Sequence, residues 1–274
     1  MIIPDIAFTH GGRFHADDVF SAALLQLCNP KIKIERGFTV PENYNGLVFD
    51  IGGGEFDHHS SSSPVRSNGI KYAAFGLLWR ALGAEFLPAD EVLRFDEHFI
   101  APLDLDDNTG CGNQLASVIS AFNPSWDESL NPDACFARAV SLAKEMLHQK
   151  LKATNAILRA KTIVEDAYKI SVDGTIILDC YAPWKSTIIP HKEILFVIYP
   201  SQRGGYCAQC VQESFASKAL RCPFPEEWAG KENSELQAVS EIDGLLFCHA
   251  GRFLITGNTL DDVKSACQKA MSAR

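Results

Sequence analysis

The chain has 274 residues, 46% hydrophobic and 22% charged, enough apolar material for one large domain or two modest ones with a sizeable core. A net charge of −9 gives it no bulk attraction for nucleic acid, so a phosphate-rich substrate would need a local positive site, which metal ions could supply. No apolar run reaches the ~18 residues of a membrane span, no basic region precedes an apolar stretch at the N-terminus, and nine scattered cysteines suit reduced thiols; no membrane partner and a cytoplasmic setting are expected.

In chain order, Asp5 to Thr9 reads as a short strand ending at His10, broken by Gly11-Gly12. A helix follows over Asp17–Leu27, with Val19, Phe20, Ala23, Leu24 and Leu27 on one face. Lys31–Glu35 alternates like an edge strand, and Leu47–Ile51 is a continuous apolar strand of the parallel-sheet kind. Helices are expected over Gly69–Leu82, Pro88–Phe99 and Asn113–Phe122. Strands alternating with helices indicate an α/β fold built on an open, mostly parallel sheet. One long helix runs from Asp133 to about Lys169 and reads as a connector. Beyond it come short strands at Ile176–Leu178, Leu195–Tyr199, Tyr206–Val211 and Leu245–Phe247, then a final helix from its N-cap Thr259 to Met271. Two domains are expected, 1–150 and a smaller α+β domain at 151–274, with the break in or near the long helix.

Four polar clusters in the first half are each expected at a strand end: His10-x4-His15-x-Asp17, Asp50, Asp57-His58-His59, and Asp104-Leu-Asp106-Asp107-Asn108. Ligands of open α/β sheets bind beyond the carboxyl ends of strands, so these clusters could converge on one crevice. Imidazoles and carboxylates without thiolates suit Mn²⁺, Mg²⁺, Fe²⁺ or Zn²⁺. About seven ligands exceed the needs of one ion and fit two ions sharing a carboxylate and an activated water, the apparatus for in-line attack on phosphorus. Any one cluster taken alone also reads as a polar turn, a capping aspartate or a mobile loop, as does the Ser60–Ser63 run after the histidines.

These stretches resemble the DHH phosphoesterase superfamily, and more closely the MYG family. The resembling segments are Thr9–Asp18, Asp50-Ile-Gly-Gly, Phe56–His59, Asp104–Asn108, Phe196–Tyr199 and Pro223–Trp228. The superfamily's usual first motif is H-x3-D-x-D; here a histidine, one residue later, takes the middle place. The resemblance implies a DHH-like catalytic domain followed by a substrate-binding domain, and phosphodiester hydrolysis with 3′–5′ exonuclease action on RNA or short oligonucleotides. It implies two divalent ions, Mn²⁺ preferred, with Mg²⁺ or Zn²⁺ as alternatives. His10, His15 and Asp50 would hold one ion. Asp17, Asp50 and His58 would hold the other, completed by Asp107 or Asp104. Asp57 would orient an imidazole and His59 would serve the leaving group. A small-molecule phosphoesterase and a non-catalytic binding protein are the competing readings, and a homo-oligomer is left open.

In the second half, His249, Gly251 and Arg252 lie at a turn between apolar strands, where Arg252 could clamp a phosphate and Gly251 would let the backbone approach. Arg203 in Gln202–Gly205 offers the same choice between phosphate contact and plain hairpin loop. Cys207-x-x-Cys210 falls on a strand that would send its two thiols to opposite faces, which argues against zinc.

Overall fold

The computed structural model describes residues 1–60 and 63–273. Of the serine run after the histidines, Ser61 and Ser62 therefore lie outside the described residues. The chain is of α/β type and divides into two compact units, Met1–Ala153 and Thr154–Arg274.

The first unit opens with a strand–helix–strand passage: β1 (Ile6–His10), α1 (Ala16–Cys28) and β2 (Lys33–Gly37). With β3 (Leu47–Val48) these form a parallel sheet of order β2-β1-β3. The apolar stretch at 47–51 predicts a longer strand than is found. Regular pairing stops because Asp50 takes a left-handed backbone (φ 56°), and beyond β3 a single bridge from Phe49 to Phe56 follows among the described residues.

Next come α2 (Ala74–Leu82) and α3 (Ala89–Phe95), then a wider π turn (Asp96–Ile100) leading into α4 (Ala101–Thr109). Helix α2 starts five residues later than expected, because Gly69 is left-handed and Val65 bridges Lys71 ahead of it. The acidic stretch 104–107, expected as a turn after a helix ending at Phe99, is instead helical. Ile100, Ala101 and Leu103 are buried and carry the helix onward, and Pro102 sits at its first positions, where a missing N–H costs little. Gly110, left-handed, ends α4. Then follow α5 (Gln114–Ser120) and the 38-residue α6 (Pro132–Lys169). Helix α6 buries Phe136, Ala139, Val140, Ala143, Leu147 and Leu151 at three- and four-residue steps. Phe20 on α1, Phe75 on α2 and Phe99 meet ring to ring, with centroids 5.4–6.4 Å apart, and seat the two helices on one another.

The second unit is a mixed five-stranded sheet of order β4-β5-β6-β8-β7. Its elements are β4 (Thr175–Ile177), α7 (Lys185–Ile188), β5 (Phe196–Pro200), β6 (Tyr206–Cys210), α8 (Asn233–Ser240), β7 (Leu245–Cys248), β8 (Leu254–Gly257) and α9 (Leu260–Ser272). Alternation along the strands gives each face of the sheet its own buried cluster. Ile198, Ala208, Cys210 and Ile255 pack with Trp228, Leu236 and Val263, whereas Val197, Tyr199 and Cys207 pack with Trp184, Ile188 and Val164. Cys207 and Cys210 thus lie on opposite faces. All nine cysteines are free thiols; only Cys111 and Cys180 are exposed.

Candidate metal centre

Strand β1 delivers His10 at its carboxyl end. Two residues of the following loop need glycine: Gly11, whose added Cβ would press on Gly37, and Gly12, at φ 76°. The chain then enters α1, whose first turn carries Asp17 and Asp18, both buried. Asp18 Oδ1 accepts from the His15 backbone N–H at 2.9 Å, fixing the start of the helix and directing its other oxygen at His10. Asp17 accepts from the backbone N–H groups of Ala74 and Phe75, at 3.0 and 2.7 Å. It thereby satisfies the otherwise unpaired start of α2.

After β3, Asp50 turns the chain sharply, and Gly52 and Gly53, both with positive φ, fold it back. Asp57 locks this return by accepting from Gly53 N–H (2.6 Å), His59 N–H (3.1 Å) and His59 Nδ1 (2.7 Å). Ser63 Oγ donates to the His58 carbonyl at 2.7 Å. The turn lays His58 and His59 against Asp50, while α4 brings Asp107 from another side.

The result is one cluster centred on Asp50. Its Oδ2 lies 3.3 Å from His10 Nε2, and its Oδ1 lies 3.1 Å from His58 Nε2. His10 Nε2 is also 3.1 Å from Asp18 Oδ2, and His58 Nε2 is 3.2 Å from Asp107 Oδ2. His59 Nδ1 stands 3.8 Å from Asp50. Three overlapping groups have donor atoms close enough to share an ion: His10, Asp18 and Asp50; Asp50, His58 and His59; and Asp17, His58 and Asp107.

The electrostatics describe a pocket short of positive charge. Burial pushes the Asp17 carboxyl well above its usual range, and Asp50, Asp107 and Asp104 push it the same way. Burial and Asp50 raise Asp107 as well. Burial raises Asp18, against the pull of His10. For His10, burial disfavours the charged ring, but the neighbouring Asp18 and Asp50 carboxylates outweigh it and lift the pKa to about 10. Asp50 is the converse: burial would raise it, yet His10 and His58 hold it down at about 2. Burial would lower His58, and Asp50 raises it instead. Asp18 Oδ2 and Asp50 Oδ1 are fully buried and accept no hydrogen bond of good geometry among the described residues. Buried acceptors of that kind, converging with imidazole nitrogens and without thiolates, fit a hard or borderline divalent cation.

A cleft of about 670 Å³ opens over the cluster, and Arg13, Lys71, His15 and His59 also line it. The residues expected from sequence are placed as follows. His10, Asp17, Asp50, His58 and Asp107 are brought together, with His59 beside them. His15 is exposed on the cleft wall, its ring centre 5.9 Å from that of His10, and belongs to none of the three groups. Asp104 points away, into a buried ion pair with Arg66 (2.7 Å). Arg66 also grips Asp96 through two nitrogens, at 2.6 and 2.7 Å, and lies over the Tyr72 ring. Asp18 was not among the expected ligands; its signal was its place three residues after His15, where a capping carboxylate is held at the foot of the helix.

In the second unit, the 249–253 hairpin is tied down by its own bonds and by bonds to the 210 and 224 segments. Gly251 N–H donates to His249 Nδ1 at 2.8 Å, and Arg252, left-handed at φ 56°, reaches the Phe224 carbonyl at 3.4 Å. Arg203 lies in the β5–β6 turn. Strand register puts that turn at the Gly257 end of β8 and the hairpin at the Leu254 end, so the two are not brought together.

Comparison with known proteins agrees across nearly the whole chain. The model of a family described as an uncharacterised protein family, UPF0160, matches residues 6–271. MYG1 exonuclease of Homo sapiens is 29% identical, the match covering 100% of this chain and 88% of the human protein. MYG1 exonuclease of Mus musculus is 27% identical, over 100% and 87% of the two chains. The MYG1 protein of Chlamydia pneumoniae is 27% identical, over 99% and 97%. No solved structure matches. With its cluster-forming segments and its second unit both inside the matched span, the chain belongs to the MYG family.

Proposed function

We propose that this protein is a metal-dependent phosphodiesterase that shortens RNA or short oligonucleotides from the 3′ end. The observation that carries the reading is Asp50, a buried carboxylate offering one oxygen to the His10–Asp18 side and the other to the His58–Asp107 side. That is how a carboxylate sits when it bridges two ions. The relatives named MYG1 exonuclease support the reaction class. In this reading His10, Asp18 and Asp50 would hold one ion, and Asp50, His58, Asp17 and Asp107 the other, Mn²⁺ being preferred. Divalent ions there would supply Lewis-acid stabilisation of a phosphoryl group.

The chain's own groups do the rest. Asp57 fixes the His59 ring through Nδ1, leaving Nε2 of this exposed imidazole to deliver a proton to the leaving oxygen. Arg13 and Lys71 are the cations of the cleft wall, able to receive non-reacting phosphates. In the second unit, His249, Gly251 and Arg252 offer a further phosphate contact.

The test incubates purified protein with Mn²⁺ and RNA labelled at either end. A ladder shortening stepwise from the 3′ end is expected. Hydrolysis of pyrophosphate alone would move the assignment to a small-molecule phosphoesterase. Bound metal with no turnover of any phosphoester would refute the enzyme reading.

A further inference from the structure

One face of the five-stranded sheet is only half covered. On the face carrying Val197, Tyr199 and Cys207, the cover formed by Trp184, Ile188 and Val164 packs over β4, β5 and β6. On β8, Ile255 goes into the opposite core, so Leu254 and Thr256 alternate onto the partly open face. On β7, a bulge between Leu245 and Phe247 breaks the alternation. Leu245 and Cys248 stay buried, and two successive apolar side chains, Leu246 and Phe247, are left half-exposed. A hollow of about 760 Å³ results, within the size range of small-molecule sites.

Its walls are mainly apolar and aromatic. Tyr181, more than half exposed, stands edge-on to the nearly buried Tyr199, their ring centres 5.1 Å apart. Phe247 also lines the hollow. Two charges line the hollow. Arg203, on the β5–β6 turn, has no carboxylate partner among the described residues, and Glu232 bridges backbone to Phe247. An apolar slot with exposed rings, one unpaired guanidinium and one carboxylate has the chemistry for a planar aromatic ligand carrying an anionic group and an amino group.

From this juxtaposition we infer that the second unit binds a mononucleotide, its base between Tyr181 and Phe247, its phosphate on Arg203 and its exocyclic amino group on Glu232. The choice of a mononucleotide among such ligands rests on the exonuclease reading, whose product it would be; the site rests on the hollow. The amino contact makes AMP and CMP better ligands than UMP, which has no exocyclic amino group.

Isothermal titration calorimetry tests this on the full chain carrying Asp50→Asn, in EDTA, so that no metal in the cleft contributes. AMP should bind more tightly than UMP. Arg203→Ala should weaken AMP about tenfold while leaving adenosine unchanged, and Tyr181→Ala should weaken both. Both residues are exposed, and circular dichroism checks that the variants fold. No AMP binding at millimolar concentration, or AMP binding indifferent to Arg203→Ala and Tyr181→Ala, overturns the inference. AMP binding that needs Arg203, in a protein that degrades no RNA, upholds the site and removes the exonuclease reading; RNA degradation without AMP binding does the reverse.

Discussion

Glycine inside a helix usually invites replacement by alanine, with a gain of about 1 kcal/mol. Gly76 in α2 should do the opposite. A Cβ there would overlap Asp104 Oδ2, and would lie 2.6 Å from Arg66 Nη2 and 2.9 Å from Tyr72 Cδ1. The first two atoms belong to a buried ion pair, with the Arg66 and Asp104 side chains 5% and 0% exposed, and neither residue sits on a flexible surface stem that could swing clear. Burial already raises Asp104 to about 7 even with Arg66 beside it, so prising the two apart leaves a carboxyl poorly able to stay charged. Overpacking costs about 1–3 kcal/mol, and breaking a buried pair outright costs about 3–5 kcal/mol. Partial separation, less the ~1 kcal/mol helix gain, gives a net loss of about 2–4 kcal/mol. Urea denaturation of metal-free Gly76→Ala, followed by far-ultraviolet circular dichroism, measures it. In an Arg66→Met/Asp96→Asn/Asp104→Asn background, which removes the charges of the network, the penalty of the added methyl should shrink. A Gly76→Ala protein as stable as the parent would refute this account of the Arg66 network.

Three further outcomes are expected. Asp17→Ala should destabilise the metal-free protein by about 1–2 kcal/mol, because two backbone donors at the start of α2 lose their acceptor; thermal denaturation in EDTA reads this. Metal uptake should release protons. His10, at about 10 in the metal-free protein, is charged at pH 7 and must be neutral to ligate, so Mn²⁺ affinity should rise as pH rises. Calorimetry in two buffers of different ionisation enthalpy counts the protons, and zero release would contradict the ligand role of His10. The sign for stability is opposite: His10 lies above its unfolded value of 6.5, so its contribution to the metal-free fold is full below that pH and is lost as pH climbs through about 10. Finally, His59→Ala should keep bound metal by mass spectrometry yet lose turnover by about 10²–10⁴-fold, the range for a general acid.

The sequence was most legible where chemistry and local pattern coincide. His10 at a strand end, Asp50 after an apolar run and the paired histidines stood out by residue type, and the structure brings them together. The long helix was readable from its three- and four-residue stripe. Asp104 and Asp107 were harder to separate. Both are acidic and three residues apart, so they share a helix face, and only the tertiary partner, Arg66, draws one of them off. That arginine lies 38 positions before Asp104, and no local rule pairs them. Asp18 was obscured for the opposite reason, its capping bond to His15 being the commonplace role of such a residue. The β3 strand was overread because apolarity does not reveal a left-handed residue such as Asp50.

The free thiols give the protein a built-in pair of spectroscopic handles. Seven of the nine cysteines are wholly or partly shielded, whereas the exposed Cys111 and Cys180 fall one in each compact unit. A maleimide dye or nitroxide should therefore label one position per unit without engineered residues. Energy transfer or pulsed dipolar spectroscopy between them would then follow the separation of the units as metal and oligonucleotide are added.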